Sequence, residues 1–500
     1  MNIVFLTTEA VPYAKTGGLA DVCGALPAKI ESLGHQCAVI MPAFSCIHNA
    51  GLSIETTDIS FAIPIGDKLV GARLLKGKLP ESNVTVWFID QPQYFARESL
   101  YGDGGGDYPD NAERFAFFAR AAMHVIERIS MAVDIVHCND WQSALVPALM
   151  RAEPTKHDWI SRAASVLTIH NLAYQGRFPS EDFKWMGLDW DHFKPESFEF
   201  YGYLNYLKTG IITADMVTTV SPRYAQEIRT PEHGCELDTV LSARGQHVVG
   251  IINGIDPQVW DPASDPMLPK NYSVDDWKAG KLENKKALLS EFGVVGDDAV
   301  PLIGLVGRLA EQKGWDLILP VLERHLEQKR PTQWVVLGSG DRNYERELER
   351  LANAFPNRFA LYVGFSDKLA HQIEAASDVF VMPSRYEPCG LNQLYSLRYG
   401  TVPVVADTGG LANTVIDCSE STLSDKTATG FLMKGRSVDA LDAAIGRALE
   451  IRYHDPDHWQ QLVCTGMHQD WSWRKSAIQY SQLYEKTLSL NEANRKTTRK

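Results

Sequence analysis

The chain has 500 residues, 62 of them acidic against 49 basic, for a net charge of −13, and 45% of them are hydrophobic. That length is too great for one hydrophobic core, so two or three globular domains are expected. The acidic balance argues against a nucleic-acid binder, which carries a basic face, but leaves room for a neutral polysaccharide, or for a polyphosphate met by a local group of Lys and Arg.

The N-terminal "MNIVFLTTEA" has a short apolar core without a basic flank or a small-residue cleavage site, and reads as a first strand. No uncharged apolar run reaches the ~20 residues of a membrane span. Eight cysteines are scattered without C-x-x-C or Cys/His spacing. These features predict a cytoplasmic protein with reduced thiols, no metal site and no cofactor.

Short apolar runs rich in β-branched residues recur along the chain, at 2–8, 36–42, 84–90, 134–140, 165–171 and 216–222 in the first half. A second set follows at 247–254, 301–308, 334–340, 359–365, 379–385 and 401–407. Runs that are apolar on both faces belong to parallel strands covered by helices on both sides. Helical patterns lie between them. In 111–129, Phe115, Phe118, Ala119, Ala122, Val125, Ile126 and Ile129 make one stripe, with charges on the rest. The repeated βαβ pattern predicts an α/β protein of two doubly wound domains, 1–250 and 251–469. "INGIDPQVWDP" (252–262) reads as the linker. A helix over about 470–490 precedes a polar tail, 491–500, expected to be disordered.

Open α/β sheets bind ligands at the carboxyl ends of their strands, and the chemistry-bearing residues cluster there. "KTGGLAD" runs from Lys15 to Asp21, and "DTGGLAN" from Asp407 to Asn413. Glycine pairs let backbone N–H groups approach a ligand, and a following helix turns its positive end toward an anion. Arg308 and Lys313, in "VGRLAEQKG", offer a planar fork and a mobile ammonium suited to a diphosphate. In "SRYEPCGLNQLYSLRYG" a helix from Gly390 follows Glu387, whose carboxylate beside an anion site suits sugar hydroxyls or developing positive charge. His170 and Asp140–Trp141 each end a strand, and an Asp–Trp pair there suits a sugar ring. Three other stretches are discounted. "DWD" (189–191) has no strand before it. "YGDGGGDY" (101–108) fits a lid or acceptor loop, and "GSGD" (338–341) lacks the third glycine of a dinucleotide fingerprint.

"KTGGLADV", "NDWQSAL", "TIHNLAYQG", "INGID", "GRLAEQKG", "SRYEPCGLNQLYSLRYG" and "TGGL", in this order, resemble the bacterial-type glycogen/starch synthases over essentially the whole chain. The resemblance implies a GT-B fold, two Rossmann-like domains facing across a deep cleft. It implies transfer of glucose from a nucleotide sugar, ADP-glucose rather than UDP-glucose, to the non-reducing-end 4-OH of an α-1,4-glucan such as glycogen, with retention. Lys15, Gly17 and Gly18 would contact the donor, and Arg308 and Lys313 would neutralise its diphosphate. Glu387 would face the glucosyl ring, His170 would lie beside the anomeric carbon, and Asp140 would line that pocket. Cys389, Gly390, Leu391, Thr408, Gly409 and Gly410 would complete the donor site, with Asp21 and Asn253 also binding substrate. Glu9 and Tyr94 are candidates for acceptor contacts, and Phe365 for stacking on the base. The C-terminal helix would cross back to the first domain. Tyr395 stands where the wider superfamily often has a ribose-binding glutamate. No carboxylate pair declares itself as nucleophile and acid/base, which favours front-face attack with the leaving phosphate taking the acceptor's proton.

Overall fold

The computed structural model describes residues 1–104, 106–129, 131–295 and 297–498. They form two compact units, residues 1–254 with the C-terminal helix, and residues 255–472. The boundary falls four residues beyond the expected one.

In the first unit nine strands form one sheet: β1 (Asn2–Leu6), β2 (Gln36–Pro42), β3 (Glu55–Ile65), β4 (Lys68–Lys78), β5 (Thr85–Asp90), β6 (Ile135–Asn139), β7 (Ala164–Ile169), β8 (Met216–Thr219) and β9 (Val248–Gly250). Their spatial order is β9-β8-β7-β6-β1-β2-β5-β4-β3. All pairings are parallel except those of β3 with β4 and β4 with β5. Chain order reverses at the β1–β6 junction, which is where a doubly wound sheet opens a ligand crevice. Two elements depart from expectation. The hairpin β3–β4 escapes the sequence pattern, because its first strand alternates buried and exposed residues instead of running apolar. And β9, counted above with the second half, pairs with β8 in the first sheet.

The second unit has six strands: β10 (Leu302–Val306), β11 (Gln333–Gly338), β12 (Phe359–Val363), β13 (Val379–Met382), β14 (Val402–Ala406) and β15 (Phe431–Met433). The order β12-β11-β10-β13-β14-β15 is wholly parallel. It is the strand order of a dinucleotide-binding fold, with its switch point between β10 and β13. Buried strands such as β14, with no exposed residue, account for the continuous apolar runs.

Five helices position or support the site: α1 (Gly18–Ser32), α2 (Asn111–Arg128), α3 (Asn392–Arg398), α4 (Gly409–Thr414) and α5 (Trp473–Thr498). The one-stripe expectation for α2 fails. Nearly the whole helix is buried, Arg114 and Arg120 included. The segment Ser180–Met186 lies over it, and Arg120 Nε donates to the Met186 carbonyl at 2.7 Å. Arg114 is satisfied by the carbonyls of Tyr94 and Leu100 and by Asn111 Oδ1, as a buried guanidinium must be.

Helix α5 belongs to the first unit. Trp473, Ala477, Tyr480 and Tyr484 recur at helical spacing and are buried, each large ring contributing roughly 1.5–3 kcal/mol by burial. Tyr484 Oη also shares a 2.7 Å hydrogen bond with His137 Nδ1 on β6. The helix runs on through the expected tail to Thr498, and 499–500 lie outside the described residues. In the segment 101–108, Gly102–Asp103 pairs with Gly106–Asp107, position 105 being outside the described residues. No helix among the described residues is long and apolar enough to cross a membrane.

Candidate active site

The first unit places Lys15, Asp140 and His170 in the loops that leave β1, β6 and β7, three adjacent strands around the switch point. Lys15 is exposed and pairs with Asp21 at 2.8 Å. A solvent-exposed pair of this kind is worth only ~0.2–1 kcal/mol, so a ligand anion can compete for the ammonium. Gly17 caps α1 and Gly18 begins it, and a Cβ built on either meets nothing within 4 Å. The turn's amides are partly taken from within, however. Glu9 Oε2 accepts from Thr16 N at 2.5 Å and Gly17 N at 3.1 Å, while Oε1 accepts from Thr16 Oγ1 at 2.6 Å and Tyr101 Oη at 2.7 Å. A carboxylate at a helix N-terminus is favourable for the reason a phosphate would be. Glu9, expected to contact the acceptor, therefore holds the loop that carries Lys15.

Asp140 follows β6 directly with φ +54°, a left-handed conformation that Asp tolerates better than most residues. Its Oδ1 accepts from the His170 backbone N–H at 2.7 Å, with Asn171 N–H also donating. Burial outweighs these bonds and pushes its carboxyl up to about 7, and Glu9 adds to the rise. Burial likewise lowers His170 to about 3 and keeps the imidazole neutral. Tyr94 is buried, and its hydroxyl is held by Glu113. Tyr94 does not line the hollow of about 440 Å³ beside Lys15, whose walls include Tyr13, Thr16, Asn49, Glu98 and Ser99. Asn253 is buried, with an Oδ1 that has no hydrogen-bond partner among the described residues.

In the second unit the loops after β10 and β13 meet at the switch point. Lys313 Nζ lies 2.6 Å from Glu387 Oε2, and Ser384 Oγ donates to the same oxygen at 2.9 Å. Glu387 is 6% exposed, so it depends on these partners. Arg308 is exposed, and among the described residues its guanidinium bonds only the neutral amide of Gln312, at 3.2 Å. The loop is braced by Trp315 Nε1 on the Arg308 carbonyl at 3.0 Å and by Asn392 Nδ2 on the Val306 carbonyl at 2.7 Å.

Glycines let these loops interlock. A Cβ on Gly409 would stand 1.9 Å from the Glu387 carbonyl oxygen, and one on Gly410 would stand 2.0 Å from that of Cys389. In the turn Thr408–Gly409–Gly410, expected at the donor site, the Thr408 and Gly410 amides donate to the carbonyls of Ala406 and Glu387, both at 3.0 Å. Helix α3 starts two residues later than expected: Gly390 has φ +72° and Leu391 is the N-cap. The glycines of "GSGD" serve packing too, since a Cβ on Gly338 would meet the Gly307 carbonyl at 2.1 Å and one on Gly340 that of Leu309 at 2.4 Å. Phe365, after Gly364, is 78% exposed.

Asn139, Ser384 and Tyr101 receive no role from sequence reasoning. All three lie inside stretches quoted for other residues, and only the side chains they touch reveal what they do.

Each unit thus carries a doubly wound sheet with polar side chains at its switch point, and in the second Arg308 and Lys313 stand in the loop that meets the buried Glu387. A family profile described as the starch synthase catalytic domain matches residues 2–243, and one described as glycosyl transferases group 1 matches 294–461. A glycogen synthase of Rhodopirellula baltica is 60% identical, with 99% of each chain covered, and one of Syntrophotalea carbinolica is 45% identical over 99% of this chain and 100% of its own. The catalytic domain of starch synthase IV from Arabidopsis thaliana, bound to ADP and acarbose, matches with TM-score 0.89 at 33% identity, over 97% of this chain and 99% of that one. A sucrose-phosphate synthase of Thermosynechococcus elongatus, 18% identical with TM-score 0.57 and covering 98% and 99%, shares the fold. The chain belongs to the glycogen/starch synthase family of GT-B glycosyltransferases.

Proposed function

We propose that the groups described above carry out the family's reaction, glucosyl transfer from ADP-glucose to the non-reducing-end 4-OH of an α-1,4-glucan with retained configuration. The observation that supports it most is the Lys313–Glu387–Ser384 cluster beside Arg308, a cation that no carboxylate among the described residues neutralises. Arg308 and Lys313 meet the donor's diphosphate and stabilise it as it leaves. Glu387, held by Ser384, faces the glucosyl ring. When Lys313 turns toward phosphate, the Glu387 carboxylate is left to face positive charge growing at the anomeric carbon.

In the first unit, Asp140 fixes the backbone of His170, whose carbonyl can lend electron density to positive charge on a sugar. Lys15 can exchange Asp21 for a phosphate oxygen. The hollow beside Lys15, with Asn49, Glu98 and Ser99 in its wall, offers hydroxyl-binding groups for the glucan end. The leaving phosphate takes the acceptor's proton as the C–O bond breaks, which needs no second carboxylate. The ADP form of the donor is supported by the plant neighbour's bound ADP. No disulfide joins the described residues, which suits the cytoplasm.

The test is glucose incorporation into glycogen by the purified protein, comparing ADP-glucose with UDP-glucose. Incorporation from ADP-glucose is expected. Incorporation mainly from UDP-glucose would overturn the donor assignment, and none from either would overturn the reaction.

A further inference from the structure

Asn139 ends β6 and is 1% exposed. Its Nδ2 donates to the Leu6 carbonyl at 3.1 Å, across the β1–β6 junction, and to the His137 carbonyl at 3.4 Å. Two carbonyl acceptors on one side fix which end of the amide is nitrogen, because the flipped amide would set its oxygen against both. The oxygen is thus the atom 3.0 Å from His170 Nε2. An amide oxygen only accepts, so Nε2 must carry the hydrogen. The ring is neutral in this buried place, so its other nitrogen, Nδ1, keeps a bare lone pair. Nδ1 has no hydrogen-bond partner among the described residues and is not among the unpartnered atoms shut away from solvent. Two adjacent residues thus set two parts of one histidine: Asp140 its backbone, and Asn139 its tautomer.

We propose that Asn139 is a positioning residue that locks His170 in the Nε2–H tautomer, so that Nδ1 accepts a hydrogen bond from one hydroxyl of the donor's glucosyl ring. This rests on the reading that His170 lies beside that ring. A histidine free to change tautomer would present an N–H to the same hydroxyl part of the time, and the hydroxyl would then have to turn and accept instead of donating.

The experiment has two arms on the full chain. With ¹⁵N-histidine labelling, His170, assigned from the signal missing in His170→Ala, is expected as a neutral Nε2–H ring. In Asn139→Leu it is expected as a mixture of tautomers. Kinetics with ADP-glucose and its monodeoxy analogues form the second arm. One analogue is expected to lose on the order of tenfold in kcat/KM, the loss of one hydrogen bond. Asn139→Leu should reduce that preference. An Nδ1–H ring in the unsubstituted protein overturns the proposal even if Asn139→Leu fails to fold. A preference that needs His170 but survives undiminished in Asn139→Leu overturns it as well. If no preference depends on His170 at all, the underlying placement of His170 beside the sugar fails instead.

Discussion

The two glycine turns share "TGGL" and little else. At Thr16–Gly17–Gly18, built Cβ atoms meet open space, and the turn's amides rest on a carboxylate of the chain itself. At Thr408–Gly409–Gly410, Cβ atoms would strike two carbonyl oxygens, and the Gly410 amide locks α4 to the Glu387 loop. Similar sequence has two physical causes here. In the second turn glycine is required by the fold, because another backbone occupies the side chain's place. In the first, the fold requires no glycine, and the room left free suits a substrate.

Substitutions can break that comparison. The largest expected effect comes from Gly410→Ala or Gly409→Ala, which force apart the loop that carries Glu387. A stability loss of about 3 kcal/mol is expected, read as a lowered denaturation midpoint together with lost activity. Gly18→Ala is the opposite case. Its stability should change by less than about 1 kcal/mol, while kcat/KM falls at least tenfold. Full activity in the Gly18→Ala variant would remove the substrate from that space.

Lys313→Ala sharpens the contrast from the other side. It should lower kcat by about 10²–10³-fold, the scale of a lost charge-stabilising group, and lower the melting temperature by a smaller margin, because Ser384 still holds the buried Glu387 carboxylate. Equal losses in both would mark Lys313 as structural.

Glu9→Gln is expected to cost about 1–2 kcal/mol, since charge-assisted bonds to the turn become neutral ones. Lys15 would then be less well held, and KM should rise. An unchanged midpoint would show that Glu9 does not hold the turn.

The smallest effect concerns pH. Asp140 titrates near 7 in the folded protein against 3.8 for an ordinary aspartate. Between these values the folded state keeps a proton that the unfolded state has released, so this group's contribution to stability declines as pH rises from about 4 to 7. Asp140→Asn removes the decline. The variant should gain stability relative to the parent across that window, with the difference level above pH 7, in denaturant titrations at several pH values. His170 has the opposite sign, its neutral burial favouring the folded state more as pH rises from about 3 to 6.5, so the parent's own curve mixes the two.

Continuous apolar runs make most of the parallel strands legible, because a strand covered on both faces has no polar side to hide. The β3–β4 hairpin is not, since one of its faces meets water. Residues at strand ends, Arg308, Glu387, Asp140 and His170, are legible because doubly wound sheets place ligands there. Less legible is what each one touches. Glu9 is a plausible sugar contact by position, yet its carboxylate lies on amides seven and eight residues later. Tyr94 follows a strand and turns inward to Glu113. Asn139 opens "NDWQSAL" and draws no attention, because the meaning of an amide depends on which atoms face its two ends.

By itself, then, the sequence determined the class of fold, and it proposed a two-unit division and the loops that would bear the chemistry. Each follows from local periodicity and from the preference of charged residues for strand ends. Only the tertiary structure decided which hydrogen-bonding groups remain free for a substrate. That depends on distances between segments far apart in the chain, which neither composition nor spacing records.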